Sequence, residues 1–433
     1  MNRQKMKYLK NLIIIGILFT LTSCANKTTD KIIDNRHHQL LEQKDYFKLR
    51  ELLESNEDKL TEDRLLYYKA FVTNAFGEKK QSNEHINGLL EKYKNEFNDS
   101  TLISLLDLKA SNYLYNYDYK QASDIYAKIL NDYPNVLDSA EAPNYKNVKN
   151  LFETFSNVKP QIIHKKNWVK IASYRNKFNH IMTPVKSNGV SEDFIFDTGA
   201  NLSTIAESQA KKMNLTLFEQ NIDVGSSTKI NVQSKLAVAD SFYVGDILFE
   251  NVVFLVMPDD QLTFPKVNYQ IHGIIGFPVI HQLEEVHLHK NGNITVPKSP
   301  KEKKLTNMVI EGLYPVVKVI SDNDTLLFTF DTGAKKSELS FKYFNEHKDE
   351  IENRGELQTI ERGGAGGQTT VKEYLLKNFP MEIGTKKTTL TEIPVTLEEY
   401  NFNKYFDGNL GQDVFTQFNT LIINFKYMYV DFE

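Results

Sequence analysis

Two short segments of the chain place an aspartate directly after an apolar run. "FIFDTGANLSTI" spans residues 194–205 and contains Asp197, and "FTFDTGAKKSEL" spans residues 328–339 and contains Asp331. A carboxylate at such a position is costly to bury unless it has partners. Two carboxylates within hydrogen-bond reach cannot both ionise, so they share one proton. The repeated aspartates therefore indicate general acid–base chemistry on a bound water.

A glycine motif follows each aspartate at nearly the same distance. Gly276 in "HGIIGFPVI" follows Asp197 by 79 residues, and Gly411 in "DGNLGQDVF" follows Asp331 by 80 residues. A pair of strand-like segments then follows each glycine, "VHLHKNGNITV" in one case and "LIINFKYMYVDF" in the other. Spacing matched at three landmarks predicts two copies of one β-rich unit.

The preceding part of the chain has a helical pattern. From about residue 30 to 155, apolar residues recur at three- and four-residue spacing, which is typical of amphipathic helices. Residues 105–134 resemble a tetratricopeptide repeat, in which small side chains let two helices approach closely. The matching positions are Ala110, Tyr113, Ala122, Tyr126, Ile129 and Pro134. Such helices can bind a partner peptide or serve as a spacer or packing domain, and the spacer or packing role is favoured.

These patterns together predict a multidomain chain. The fold class expected is an all-α helical-repeat domain followed by an all-β bilobal domain. The charged segment 297–306, with two prolines, indicates a linker between the lobes. The predicted boundaries are 1–23 for a signal peptide, 24–157 for the helical domain, 158–300 for the first lobe and 301–433 for the second.

The two "FDTGA" segments and their glycine motifs resemble the retropepsin-like family of aspartic proteases. The resemblance covers roughly residues 160 to 433. In that family two lobes or two identical chains build one active site. The resemblance implies that Asp197 and Asp331 form a catalytic dyad that hydrolyses peptide bonds with no metal or other cofactor. It implies loop-supporting roles for Thr198, Gly199, Ala200, Thr332, Gly333 and Ala334, and turns under the aspartates at Gly276 and Gly411.

The resemblance also implies mobile hairpins, called flaps, that cover the substrate. Residues 361–368, "ERGGAGGQ", look like a glycine-rich flap tip, because glycine allows conformations closed to other residues. The glycines concerned are Gly363, Gly364, Gly366 and Gly367. The first lobe has only "VGSS" at residues 224–227 in the corresponding place, so we expect unequal flaps.

Three departures from the family pattern matter for the chemistry. Ala200 and Ala334 stand where pepsin-like lobes have a Ser or Thr hydroxyl that lowers the carboxylate pKa. We therefore expect activity nearer neutral pH than that of pepsin. Asn409 occupies an apolar position of the second glycine motif, which leaves the competence of the second lobe open. Lys335 and Lys336 have no counterpart in the first copy, and we expect them to face solvent.

The first 24 residues resemble a bacterial lipoprotein signal. The apolar stretch 11–21 is too short to span a bilayer, and "LTSC" ends at Cys24, the only cysteine. Four basic residues precede it, Arg3, Lys5, Lys7 and Lys10. The resemblance implies lipidation of Cys24 and a location in the bacterial cell envelope, with the outer membrane favoured. Removal of residues 1–23 leaves a charge of 48 − 56 = −8, which argues against nucleic-acid binding.

Two other functions stay open at this point. The lobes could form a lipid-anchored peptide-binding module that has lost catalysis. A metal enzyme could use His281, His287 and His289, although solvent-facing strand histidines are commoner. The favoured interpretation is an aspartic endopeptidase that acts as a monomer on a peptide or protein substrate.

Overall fold

The chain folds as a helical domain followed by two β lobes. The structure is a computed structural model that describes residues 28–165, 167–225, 231–364, 367–399 and 404–433. The predicted signal peptide, Cys24 and Gly366 lie outside the described residues. Among the described helices, none combines the length and apolar character needed to cross a bilayer.

The helical domain contains seven α-helices in its described part. They are α1 Lys31–Glu42, α2 Tyr46–Asn56, α3 Glu62–Ala75, α4 Lys79–Lys92, α5 Asp99–Tyr115, α6 Tyr119–Asp132 and α7 Glu141–Thr154. Ala110 and Ala122 are fully buried between α5 and α6, where small side chains permit close packing. The predicted helical pattern is therefore confirmed.

In its described part, the first lobe has fourteen strands and two short α-helices. The strands are β1 Ile162–His164, β2 Val169–Ile171, β3 Tyr174–Arg175, β4 Ile181–Ser187, β5 Val190–Phe196, β6 Ser203–Ala206, β7 Thr216–Gly225, β8 Asn231–Val244, β9 Ile247–Met257, β10 Thr263–Phe264, β11 Tyr269–Gln270, β12 Gly273–Ile275, β13 Glu285–His289 and β14 Ile294–Val296. The helices are α8 Glu207–Lys212 and α9 Phe277–His281. Nine of these strands form one sheet in the order β1-β9-β6-β12-β5-β4-β8-β7, with β3 on β4, and a β8–β9 pairing curls it into a barrel.

The second lobe repeats this arrangement. Its elements are β15 Met308–Glu311, β16 Tyr314–Ser321, β17 Asp324–Phe330, β18 Glu338–Leu339, α10 Phe341–Glu346, α11 Lys348–Arg354, β19 Glu356–Gly364, β20 Gly367–Ile383, β21 Lys386–Thr396, β22 Gly408–Leu410, α12 Gln412–Phe415, β23 Thr420–Asn424 and β24 Tyr429–Phe432. The sheet order is β15-β16-β17-β22-β18-β21-β20-β19, and β16–β20 is the extra pairing. The all-β bilobal class predicted from the sequence is confirmed.

The strand that leads to each aspartate begins at a matching turn. The turn between β4 and β5 has positive φ at Asn188 and Gly189, at 48° and 82°. The turn between β16 and β17 has positive φ at Asp322 and Asn323, at 48° and 73°. Two-residue turns with this backbone match the twist of the hairpin strands they join. The same local geometry therefore delivers both apolar strands to the centre of the molecule.

A separate five-stranded sheet joins the two lobes. Its order is β2-β14-β13-β23-β24, so three strands come from the first lobe and two from the second. The junction is antiparallel pairing of β13 with β23 over five residue pairs, from Glu285 opposite Asn424 to His289 opposite Thr420. The buried Glu285 carboxylate accepts a hydrogen bond of 2.6 Å from the Asn424 side chain.

Candidate active site

Asp197 and Asp331 begin the loops that follow β5 and β17. A neighbouring parallel strand holds the start of each loop by a main-chain hydrogen bond. Strand β12 pairs in parallel with β5, and the Asp197 N–H donates to the carbonyl oxygen of Ile275 at 3.0 Å. Strand β22 pairs in parallel with β17, and the Asp331 N–H donates to Leu410 at 3.0 Å. The two aspartate backbones therefore occupy equivalent positions in the two lobes.

The threonines after the aspartates cross-link the two loops. The Thr198 N–H donates to the Thr332 hydroxyl at 3.0 Å, and the Thr332 N–H donates to the Thr198 hydroxyl at 3.1 Å. Each hydroxyl in turn donates to a carbonyl of the opposite lobe, Thr198 to Phe330 at 2.8 Å and Thr332 to Phe196 at 2.9 Å. Both threonines are fully buried. Four reciprocal bonds fix the distance between the loops.

This cross-link brings the two carboxyl groups into contact. The Asp197 and Asp331 side chains share a hydrogen bond, which requires that one of them carry a proton. The Gly199 N–H donates to Asp197 Oδ1 at 2.8 Å. The N–H groups of Gly333 and Ala334 donate to Asp331 Oδ1 at 2.7 Å and 3.0 Å. The structure therefore brings together the residues that the resemblance assigned to the site.

The glycines next to the dyad leave no room for a side chain. A Cβ atom on Gly199 would lie 2.6 Å from the carboxyl carbon of Asp331. A Cβ atom on Gly333 would overlap the carboxyl group of Asp197. Since these contacts cross the lobe junction, glycine is required for the two carboxyl groups to touch.

The protein environment of Asp197 and Asp331 favours the state in which the two carboxyl groups share a proton. Both carboxyl groups are partly accessible to solvent, but protein atoms surround them on most sides. Burial raises the pKa of Asp197 well above its usual value, and the charge of Asp331 raises it further. Burial also raises the pKa of Asp331, against the opposing effect of hydrogen bonds from Asp197 and from the loop N–H groups. One proton is therefore held to a higher pH than an isolated aspartic acid would hold it.

The glycine motifs pack directly under the aspartate loops. A Cβ atom on Gly276 would lie 2.6 Å from the Leu202 carbonyl carbon, and one on Gly411 would lie 2.6 Å from that of Lys336. The N–H of Gly276 donates to the Ser203 hydroxyl at 3.1 Å. Both motifs thus make the same close approach to the backbone of the loop above them.

Sequence reasoning missed a serine in each loop. Ser337 accepts a hydrogen bond from the Gly411 N–H at 2.9 Å, as Ser203 does from Gly276. Both serines are buried. They stand six residues after the two aspartates, in "DTGANLS" and "DTGAKKS". Their equal spacing in the two copies could therefore have predicted equivalent roles.

Asn409, the polar residue at an apolar position of the second glycine motif, has a hydrogen-bond partner. In the first lobe Ile274 lies beside Ile195 in the parallel pairing of β12 with β5. In the second lobe Asn409 lies beside Thr329 in the same pairing, and the Thr329 hydroxyl donates to Asn409 Oδ1 at 2.8 Å. A hydrogen-bonded pair therefore replaces an apolar pair without a change in strand register.

Each lobe has a hairpin at the position where the resemblance implies a flap, β7–β8 in the first lobe and β19–β20 in the second. The expectation of unequal flaps is not met in length, because β7–β8 is a long hairpin like β19–β20. Gly363 and Gly364 end β19, and Gly367 begins β20 opposite Gly364. The "VGSS" segment 224–227 lies partly outside the described residues.

The two flaps differ in what they contact. The Asn147 side chain of α7 donates to the Asp223 carbonyl at 2.7 Å and accepts from the Asp223 N–H at 3.1 Å. Phe155 packs edge-on against Phe218 of the same hairpin. The helical domain therefore holds the first flap.

The lysines singled out in the sequence have exposed side chains, and the histidines are packed or hydrogen-bonded away from the dyad loops. Lys335 and Lys336 are exposed, as expected. His281 is buried beside Phe277, His287 pairs with Glu285 at 2.6 Å, and His289 lies between two threonines. Among the described residues, no group of three or more His, Cys, Asp or Glu side chains could hold a metal ion.

Comparison with known families agrees with this geometry. A family model described as aspartyl protease matches residues 183–279, from β4 through the first glycine motif. A comparison with curated proteins found no match. The matched segment includes Asp197 and Gly276, and the second lobe repeats its strand pairing around Asp331. Residues 183–279 are therefore similar to the aspartyl protease family, and the second lobe has the same strand arrangement.

Proposed function

We propose that this protein is an aspartic endopeptidase that cuts peptide bonds with the Asp197/Asp331 dyad. The observation that carries the proposal is the direct hydrogen bond between the two carboxyl groups, across loops fixed by Thr198 and Thr332. The ionised carboxyl takes a proton from water as the water attacks the peptide carbonyl. The protonated carboxyl hydrogen-bonds the carbonyl oxygen and supplies its proton.

The loop geometry supports this division of labour. The N–H groups at Gly199, Gly333 and Ala334 donate to the carboxyl oxygens, so they hold the two groups in place as the proton moves between them. A preorganised site of this kind needs no rearrangement during the reaction. The two flap hairpins are suited to exclude water from a bound peptide.

We propose further that the enzyme acts at a membrane surface. The lipoprotein-like signal ending at Cys24 supports a lipid anchor in the bacterial cell envelope, with the outer membrane favoured. The active site is complete within one chain, which supports a monomer. The substrate is a peptide or protein, and the helical domain is available to contact it or a protein partner.

The test is cleavage of a mixed peptide library by the full chain in detergent, read by mass spectrometry from about pH 3 to pH 8, the range in which carboxyl dyads titrate. The variants are Asp197→Asn and Asp331→Asn, and the matched control is Asp246→Asn, an exposed turn residue. Cleavage lost in both dyad variants but kept in the control supports the proposal. Peptides that bind but stay intact at every pH would instead favour the non-catalytic binding module.

A further inference from the structure

A cavity lies between the helical domain and the two lobes. Its volume is about 640 Å³, and its walls come from helices α1 to α3 and α5 to α7 together with lobe residues near the dyad. The lobe side includes Asn201 and residues 311–314. This volume is within the range of about 300–1,000 Å³ that binding pockets have.

The cavity is close to the catalytic centre. Asn201 follows Asp197 by four residues in the same loop, and its side chain hydrogen-bonds the Tyr314 hydroxyl. Burial raises the pKa of Tyr314 to about 12, and the negative charge of the Asp331 and Asp197 pair contributes to this rise. Since Asn201 of the Asp197 loop and its partner Tyr314 both line the cavity, the cavity adjoins the catalytic centre.

Polar contacts across the domain junction hold the cavity walls. Glu311 of β15 accepts a hydrogen bond from the Tyr46 hydroxyl at 2.6 Å and forms an ion pair with Lys44. Lys44 is therefore already neutralised. At the rim, His38 pairs with Glu42 at 3.3 Å, and both side chains are more than half exposed.

The remaining charged group is Asp107 of α5. It accepts a hydrogen bond from Tyr126, and Lys44, the described cation that acts on it, is paired with Glu311. Burial raises the pKa of Asp107 to about 6. The tyrosines that line the cavity are Tyr46, Tyr67, Tyr126, Tyr145 and Tyr314. A carboxylate without its own cation among aromatic rings complements a positive charge.

We propose that this cavity binds a lysine or arginine side chain of the polypeptide substrate, at a fixed number of residues from the bond that is cut. The inference rests on the proposed function and adds the substrate class. The substrate runs from the dyad past Asn201 and Tyr314, and its cationic side chain reaches Asp107. The helical domain is then part of the substrate site and sets where the chain is cut.

The test uses the full chain and peptides in which one lysine is moved stepwise along a neutral cleaved sequence, each paired with a glutamine version. Asp107→Asn removes the charge and keeps an oxygen that accepts from Tyr126. Asp58→Asn, at an exposed position on the same domain, is the control. We expect the lysine peptide to exceed its glutamine partner in kcat/KM by about tenfold at one position. In Asp107→Asn this ratio falls toward one, whereas in Asp58→Asn it keeps the native value.

A second measurement separates this inference from the proposed function. Fluorescein-labelled lysine and glutamine peptides are titrated with Asp331→Asn, and with the same variant carrying Asp107→Asn, and binding is read by anisotropy. Tighter binding of one lysine peptide that depends on Asp107 supports the cavity site even if no peptide is ever cut. Cleavage or binding without a lysine preference at any position overturns it, as does a preference that Asp107→Asn leaves intact. Failure to bind any peptide also overturns it.

Discussion

Asn147 of α7 pairs with both main-chain polar groups of Asp223 in β7, as a neighbouring strand would. The second flap has a weaker contact, an exposed pair between Lys266 and Glu361 at 3.9 Å. One flap is therefore tied to the helical domain by a side chain that imitates backbone pairing, whereas the ion pair that links the other flap to the first lobe is solvated and adds little stability.

Removal of this contact should loosen the first flap. Asn147→Ala loses two hydrogen bonds, each worth about 0.5–1.5 kcal/mol, so amide exchange in residues 221–225 should rise about tenfold or more. Hydrogen-exchange mass spectrometry checks this, with Asn144→Ala, exposed on the same helix, as the control. An equal rise in residues 356–364 of the second flap would contradict the asymmetry.

Loss of one threonine hydroxyl should destabilise the lobe junction. Thr198→Val leaves the Thr332 N–H and the Phe330 carbonyl without partners in a fully buried site, at a cost of about 1–3 kcal/mol each. Thr198→Ser keeps the hydroxyl and should cost about 1 kcal/mol for the lost methyl group. Thermal unfolding measures both variants. Similar Tm values for the two would show that the hydroxyl is unimportant.

A methyl group beside the dyad should stop catalysis. In Gly333→Ala the new Cβ overlaps the Asp197 carboxyl group, so the two carboxyl groups must separate. We expect at least a hundredfold fall in kcat/KM, since misplacement by about 1 Å can cost that much. Gly88→Ala, whose Cβ would meet only Leu66 at 3.8 Å, is the control and should keep full activity. Activity retained in Gly333→Ala would mean that the carboxyl contact is not required.

The folding stability of the protein should fall as the pH rises, because the carboxyl pair is harder to ionise in the folded state. A carboxyl group whose pKa is raised in the folded state favours folding at low pH, and this advantage is lost as pH rises above its unfolded pKa of about 4. Asp197→Asn removes this cost, so it should be more stable than the native chain at pH 7. The gain should shrink as pH falls toward 4. Thermal unfolding at several pH values checks this, and a variant less stable at pH 7 would refute it.

Catalysis should be optimal nearer neutral pH than in pepsin. The alanines at 200 and 334 supply only backbone donors to the carboxyl groups, with no hydroxyl to lower the pKa. Ala334→Ser adds that hydroxyl and should move the acidic limb of the pH–rate profile to lower pH. Initial rates across pH 3–8 measure this. A native profile that peaks below about 3, where the pepsin dyad titrates, contradicts the interpretation.

The sequence allowed the two lobes and the dyad to be predicted because the copies repeat landmarks at nearly equal spacing. It did not reveal that Thr329 compensates Asn409, since that requires the parallel register of β17 with β22. It favoured a spacer or packing role for the helices but did not reveal that α7 packs against the first flap. Contacts such as that of Asn147 with Asp223 join residues 76 positions apart, and no local pattern encodes them.

The five-stranded sheet that joins the lobes has a consequence for how the site responds to dilution. When two separate chains form such a site, each chain supplies one aspartate, so dissociation of the subunits separates the dyad. Here β13 and β23 belong to one polypeptide, so each lobe meets its partner at an effective concentration fixed by the connecting segment. Assembly of the dyad is thus a first-order event. Specific activity should then be constant however sparsely the molecules are distributed.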